Sequence, residues 1–137
     1  MAGRKKVFKN KTQIFYEENY ERFILYEEHA NEQLLDFSAW CRLAVQTFLK
    51  HKPRSFLIEE RKEWTTIKQV NVFVDQRMKL NWKNDWCKLA SNRRQLERYA
   101  KKNNPPMALL YRSACKWFYD AQLKSTEKIK QGESQNG

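Results

Sequence analysis

Apolar residues alternate with polar ones in two short segments of the chain, near residues 11–16 and 68–75. Alternation of this kind is typical of β-strands, because successive side chains of a strand point to opposite faces. The residues assigned to the inward face are Thr12, Ile14, Tyr16, Val70, Val72 and Val74. The residues assigned to the outward face are Lys11, Gln13, Phe15, Gln69, Asn71 and Phe73. A slip of one residue would exchange the two faces and bury Phe15 and Phe73 in the core.

Helical spacing of large residues predicts a pair of helices after each strand. In the first pair, the leading helix presents Phe23, Tyr26, Ala30 and Leu34 on one face. The second helix of that pair runs from about Ser38 to Lys50 and presents Trp40, Ala44 and Phe48. Asp36 and Ser38 are both suitable N-caps for it, and the segment ending in Pro53 stops it.

The later pair of helices is predicted from the same spacing and from a break rich in asparagine and proline. Its first helix presents Trp82, Trp86, Leu89, Leu96 and Ala100. The final helix starts near Pro105, after a capping Asn104, and extends to about Leu123. It presents Leu110, Ala114, Trp117 and Tyr119. Residues 51–67 form a connector of no predicted conformation, and residues 124–137 are expected to be a flexible tail.

Composition narrows the fold class and the chemistry. The chain has 137 residues, and its three glycines lie at positions 3, 132 and 137. Glycine-rich loops that bind nucleotide phosphates are therefore absent, and folds that depend on tight glycine turns are disfavoured. Three cysteines without paired spacing indicate a reducing, cytoplasmic setting. The fold predicted is mostly α with a short two-stranded antiparallel β-ribbon, and no membrane-spanning segment is expected.

Charge points to an anionic partner. The net charge is +11, and residues 67–137 hold 15 basic against 6 acidic residues, whereas residues 1–66 hold 12 against 10. The first ten residues form a basic arm that contains Arg4, Lys5, Lys6 and Lys9. Such an arm suits a polyanion backbone, although a solubilising tail would have the same composition. A basic excess favours nucleic acid or an anionic surface without choosing between them.

The two halves of the chain show a weak internal repeat. A shift of 58 places the first strand segment over the second, and a shift of 70 places Arg42, Ala44 and Phe48 over Arg112, Ala114 and Phe118. The difference between the two shifts predicts an insertion in the second copy's first helix, around residues 78–89.

With this repeat, the chain resembles the ribbon-helix-helix family of DNA-binding proteins. The resemblance is carried by TQIFYEENYERF with DFSAWCRLAVQTFLK, and by KQVNVFVD with RRQLERYAKKNNPPMALLYRSACKWF. It implies two units, at residues 11–50 and 68–123, that form a pseudo-dimer within one chain. It departs from the family at the turn between the helices, which normally carries a glycine. Tandem units of this kind are similar to relaxosome accessory proteins of plasmid transfer and to plasmid or phage regulators.

The resemblance implies sequence-specific binding of double-stranded DNA, since a two-stranded ribbon fits the major groove. Base contacts are expected from the outward set, Lys11, Gln13, Phe15, Gln69, Asn71 and Phe73. Backbone contacts are expected from Arg4, Lys5, Lys6, Lys9, Ser38, Arg93, Arg94 and Asn104. Arg93 and Arg94 belong to a basic cluster that could equally be a solvated helix face. Expected partners are DNA, a relaxase or another transfer protein, and further copies of the chain on DNA.

Two other functions fit the same composition. A helical protein that binds RNA or single strands would share the charge, and a helical adaptor could use the aromatic residues to grip a protein partner. No catalytic residue, metal site or cofactor is predicted. His29 and His51 lack partners at metal spacing, and Cys41, Cys87 and Cys115 are better interpreted as small core residues.

Overall fold

The computed structural model describes residues 11–54, 56–58, 65–91, 93–96 and 107–136. Within them the chain is mostly helical, with one two-stranded antiparallel sheet, as the periodicity predicts. The elements in chain order are β1 (Lys11–Asn19), α1 (Tyr20–Glu32), α2 (Phe37–His51), β2 (Ile67–Asp75), α3 (Gln76–Ser91), a 3-10 helix (Arg94–Leu96) and α4 (Met107–Asn136).

The two strands pair along their full lengths. Thr12 pairs with Val74, Ile14 with Val72 and Tyr16 with Val70, so the whole inward set lies on one face of the sheet. That face packs on the helices, because it is the apolar face and the other elements bury it. The predicted inward orientation is therefore confirmed, and a one-residue slip is ruled out.

The second helices of the two halves, α2 and α4, form the centre of the core. The buried residues of α2 include Trp40, Cys41, Ala44, Val45 and Phe48. Seventy positions further along, α4 buries Leu110, Tyr111, Ala114, Cys115 and Phe118. The predicted offset of 70 therefore places these five positions over buried positions, whereas buried Leu49 falls on the half-buried Tyr119. Helices α2 and α4 pack directly on each other.

The first helices differ in length and follow their strands without a loop. Asn19 caps α1, since its side chain accepts from the backbone N–H groups of Glu21 and Arg22. Asp75 has the same position before α3 and accepts from Arg77 N at 2.7 Å. Tyr26 and Ala30 are buried in α1, and α3 buries the larger side chains of Trp82, Trp86 and Leu89.

Several predicted boundaries are wrong. Helix α1 ends at Glu32, and Leu34 leaves the helix in a left-handed conformation (φ 62°) with 94% of its surface exposed, so it is not part of the buried face. Helix α3 ends at Ser91, and Leu96 reaches the core from the 3-10 helix instead. Helix α3 has 16 residues against 13 in α1, and the predicted insertion around residues 78–89 stays a prediction.

The last helix is also longer than predicted. Its described part starts at Met107 and continues past Leu123 to Asn136, through most of the segment expected to be a flexible tail. Ala100 and Asn104 lie outside the described residues.

Candidate nucleic-acid interface

The outward face of the ribbon is open to solvent. Gln13, Phe15, Gln69, Asn71 and Phe73 are all exposed, and the two phenylalanines keep 54% and 38% of their surface accessible. Large aromatic side chains at such positions are normally covered, so this face is a candidate binding surface. The predicted outward orientation of these five residues is confirmed, whereas their role in base recognition stays a prediction.

Amide and aromatic side chains alternate across this face. Gln13 pairs with Phe73, and Phe15 pairs with Asn71, on either side of the Ile14–Val72 pair. Each strand thus contributes one carboxamide and one phenyl ring, with each ring opposite an amide of the other strand. A carboxamide can donate and accept hydrogen bonds together, and a ring can pack against a thymine methyl.

The ends of the face carry charges of both signs. Lys11 pairs with Asp75, and Glu17 pairs with Gln69. The side chain of Lys11 lies outside the described part of the chain. Asp75 is already engaged, because it caps α3. The central amides and rings are therefore the part of the face best suited to contact a neutral base edge.

Helix α2 is fixed to the edge of the ribbon by Ser38 and Arg42. The Ser38 hydroxyl oxygen accepts from Phe73 N at 3.0 Å and from Arg42 Nη1 at 2.8 Å. Arg42 Nη1 also donates to the carbonyl of Phe73 at 2.7 Å. Both backbone polar groups of Phe73 are thereby satisfied at the strand edge, which holds this part of the ribbon against the helix.

The N-terminus of α2 is capped by Asp36, not by Ser38. Its carboxylate accepts from Ala39 N at 2.7 Å, which places a negative charge where the sequence predicts a phosphate contact. Ser38 lies beside the ribbon, as a backbone-contacting residue should, but its hydroxyl is engaged with Phe73 and Arg42. A contact between Ser38 and DNA stays a prediction. It would have to come from the backbone N–H of Ser38.

Of the remaining predicted backbone contacts, the structure describes Arg93 and Arg94. Arg4, Lys5, Lys6, Lys9 and Asn104 lie outside the described residues. Arg93 and Arg94 follow the C-terminus of α3, a helix whose 16 residues span about 24 Å from the end of β2.

Arg93 makes contacts within the fold. Its guanidinium donates to the carbonyls of Pro53 and Arg54 and lies over the ring of Phe56, 4.7 Å from the centroid. It thereby ties the start of the connector to the segment after α3. Arg93 and Arg94 both follow the end of α3 at Ser91, and their role at a DNA backbone stays a prediction.

Sequence reasoning missed the anchoring role of Ser38 and Arg42. A signal was present, because residues four apart on a helix are neighbours and a hydroxyl beside a guanidinium forms a hydrogen-bonding pair. Nothing in the local sequence showed that this pair would meet the backbone of Phe73, which lies in the other half of the chain.

The histidines and cysteines form no metal site among the described residues. His29 Nδ1 accepts from Trp40 Nε1 at 3.0 Å, and its ring packs edge-on against Trp40 and Tyr119, which makes it part of the aromatic core. Within the same described ranges, no helix combines the length and the apolar character needed to cross a bilayer.

Two buried thiols and two buried phenols meet where the halves join. Tyr16 Oη lies 3.9 Å from Cys41 Sγ and 3.7 Å from Cys115 Sγ, and its ring stacks on that of Tyr111. Burial, reinforced by the neighbouring thiols, raises the pKa of Tyr16 well above its ordinary value. Burial, with the adjacent Cys41 next in effect, likewise raises the pKa of Cys115. A catalytic thiol needs a lowered pKa and access to solvent, so this pair is typical of core packing.

Comparisons of the chain with protein families, with curated proteins and with solved structures find no match. The candidate interface therefore depends on its own geometry.

Proposed function

We propose that this chain is a sequence-specific double-stranded DNA-binding protein that inserts its β-ribbon into the major groove. The observation that carries the proposal is the exposed alternation of Gln13 and Phe15 with Asn71 and Phe73 around the Ile14–Val72 pair. Two strands lie roughly 4.8 Å apart, which fits a groove roughly 12 Å wide. The net charge of +11 supplies the attraction to phosphates.

The two strand-helix-helix halves act in this proposal as a ribbon-helix-helix pseudo-dimer within one chain. The end-to-end pairing of the strands Lys11–Asn19 and Ile67–Asp75, each followed directly by a helix, supports this arrangement. The matching burial of five positions of α2 and α4 supports it as well. A pseudo-symmetric protein fits a DNA site that is nearly, but not fully, palindromic, since its two strands differ in sequence.

The biological role that accompanies this proposal is that of a relaxosome accessory protein in plasmid transfer, or of a plasmid or phage transcriptional regulator. In the first role, a relaxase or another transfer protein would be its partner, and several copies would assemble on one DNA region. Both roles require a preferred duplex sequence and neither requires catalysis by this chain.

The test begins with selection of a preferred duplex from a random library, followed by binding measurements with two variants. Asn71→Ala should weaken binding to the selected duplex by about 1–3 kcal/mol and leave binding to random duplex nearly unchanged, because a base contact discriminates between sequences. Asn84→Ala is the matched control, since Asn84 is an exposed amide on α3, away from the ribbon. Equal losses on both duplexes would show that Asn71 does not read bases, and preference for single strands would overturn the proposal.

The basic arm is tested by deleting residues 1–9. For each phosphate that the arm neutralises, the deletion should lower the slope of log affinity against log salt by about 0.9. An unchanged slope would remove Arg4, Lys5, Lys6 and Lys9 from the interface without affecting the proposed role of the ribbon.

A further inference from the structure

A groove runs between α2 and α3. One part is a cavity of about 660 Å³ between the C-terminal half of α2 and the first turns of α3. A second cavity of about 420 Å³ continues it toward the end of α3. Leu49, Lys52 and Asp85 border both cavities, so the two form one continuous depression.

The rim of this groove is predominantly positive. Among the described residues, its basic side chains are Lys50, Lys52, Arg54, Arg77, Lys88 and Arg93, and its acidic side chains are Asp75 and Asp85. Across the described ranges of the chain, Lys50, Lys52 and Arg77 form no ion pair. Like charges gathered around a concave surface repel one another and focus a positive potential there. An anionic group bound in the groove would relieve that repulsion.

The floor of the groove is apolar. It is lined by Leu49, Met78 and Trp82. Leu49 and Trp82 are also buried in the core. Apolar floors with a few polar groups at the rim are typical of sites that bind organic ligands or peptide side chains. A partner that made only ionic contacts would leave this apolar floor exposed to solvent.

The corresponding position on the other side of the molecule, between α1 and α4, is different. Tyr119 fills it, with its ring 5.3 Å from Tyr26 and 5.6 Å from His29. Lys116 forms an ion pair with Asp120 at 2.9 Å, and Asp120 takes the place that Lys50 has in α2. A contact between two helices of this fold can therefore be filled by side chains and carry paired charges. The open, positive groove is not required by the fold.

We propose that the α2–α3 groove binds an acidic, amphipathic segment of another protein. Carboxylates of the segment would contact the lysines and arginines of the rim, and its apolar side chains would cover Met78 and the edge of Trp82. A DNA backbone satisfies the rim but offers no apolar group for the floor. The groove begins at Asp75, the last residue of β2, and follows α2 and α3 from there. The proposal goes beyond DNA binding and does not depend on it.

The test measures binding of a labelled synthetic peptide to the full chain by fluorescence anisotropy. The peptide carries glutamates on one helical face and leucines on the other. Lys50→Glu and Arg77→Glu, on opposite walls of the groove, should each weaken binding roughly threefold to tenfold, because each reverses a charge that faces the carboxylates. Lys124→Glu is the matched control, with the same charge change on exposed α4, and should change the affinity less than about twofold.

Three outcomes would overturn the proposal. The peptide could fail to bind, it could bind Lys50→Glu as tightly as the unaltered chain, or a polyglutamate chain of equal charge could bind as tightly as the amphipathic peptide. Lys50→Gln replaces Lys50→Glu if the latter does not fold, and it should show a smaller loss of the same sign. Asn71→Ala should leave peptide binding unchanged, so failure here is distinguishable from failure of DNA binding.

Discussion

The two strand-helix-helix halves share a core but differ at their surfaces. Five core positions of α2 and the five positions offset by 70 in α4 are all buried, although three of the five residue pairs differ, among them Trp40 with Leu110 and Cys41 with Tyr111. Outside the core, aromatic residues close the contact between α1 and α4, whereas a positive groove lies between α2 and α3. Packing geometry thus accounts for what the halves have in common, and their differences mark where a partner-specific function can reside.

The largest expected effect tests whether the shared core is one cooperative unit. Phe48 and Phe118 have matching positions, and both are buried. Phe48→Ala and Phe118→Ala should each lower the free energy of unfolding by about 3–5 kcal/mol, because each removes a ring and leaves a cavity. Urea unfolding followed by tryptophan fluorescence measures this, with a single transition expected in both variants.

Phe48 should be the more costly of the two to remove. Its ring contacts those of Phe56, Trp86 and Trp117, with centroids at 4.8, 6.3 and 5.7 Å, whereas the ring contact found for Phe118 is with Trp40 at 5.5 Å. If either variant were destabilised by less than about 1 kcal/mol, well below the range for a buried phenylalanine, the halves would not share one core.

A second prediction concerns the anchor that Ser38 provides in the first half. Ser38 joins α2 to Phe73, but the position offset by 70 is Ala108, which has no hydroxyl. Ser38→Ala should cost about 1–2 kcal/mol, since it leaves the Phe73 N–H and the Arg42 guanidinium with one acceptor fewer. Thr47→Ala is the control, because that hydroxyl bonds only to Leu43 O within its own helix and should cost less than about 0.5 kcal/mol. Equal losses in the two variants would show that Ser38 anchors nothing.

The ribbon and the second helices could be predicted from the sequence because their patterns are periodic. The alternation of Val70, Val72 and Val74 fits a strand with these residues on one face. The spacing of Trp40, Ala44 and Phe48 fits one face of a helix. Local pattern failed where the chain leaves regular structure. Leu34 continues the spacing of α1, but the backbone has already turned into a left-handed conformation there.

The candidate sites were predictable to unequal degrees for the same reason. The outward face of the ribbon follows from strand alternation alone, so its amides and rings were identified correctly as exposed. The groove depends on α2 and α3 lying side by side, which brings Lys50 near Arg77 from distant parts of the sequence. No pattern within either helix contains that information.

A third prediction probes the junction of the halves through pH. Burial raises the pKa of the Cys115 thiol above its ordinary value of 9.0, so the folded state keeps a proton that the unfolded chain releases. The stability that this proton confers is complete below pH 9 and is lost as pH rises above it. Between pH 8 and pH 10 the free energy of unfolding should therefore decrease, because the unfolded chain loses this proton while the folded chain keeps it.

Urea unfolding at a series of pH values measures that decrease. Cys115→Ala should remove the contribution of this thiol to the decrease of unfolding free energy with pH. Cys87→Ala serves as the control because Cys87 is only partly buried, away from the junction. An unaltered slope in Cys115→Ala would mean that the thiol is not held in its protonated form between the halves. Tyr16 and Tyr111, whose pKa values burial also raises, act in the same direction at higher pH.

The smallest expected effect compares the caps of the two first helices. Asn19 accepts two backbone N–H groups, at 3.1 and 3.2 Å, whereas Asp75 accepts one at 2.7 Å and adds a negative charge at the N-terminus of its helix. Asn19→Ala and Asp75→Ala should each cost about 1 kcal/mol, because an orphan N–H loses its acceptor.

Thermal unfolding of Asp75→Asn separates the hydrogen bond of Asp75 from its charge, since asparagine keeps the acceptor and removes only the charge. That variant should recover most of the stability at low salt, and the difference that remains should shrink as salt screens the helix dipole. If Asp75→Asn were instead as unstable as Asp75→Ala, the charge would matter more than the hydrogen bond, and the two halves would start their first helices by different physical means.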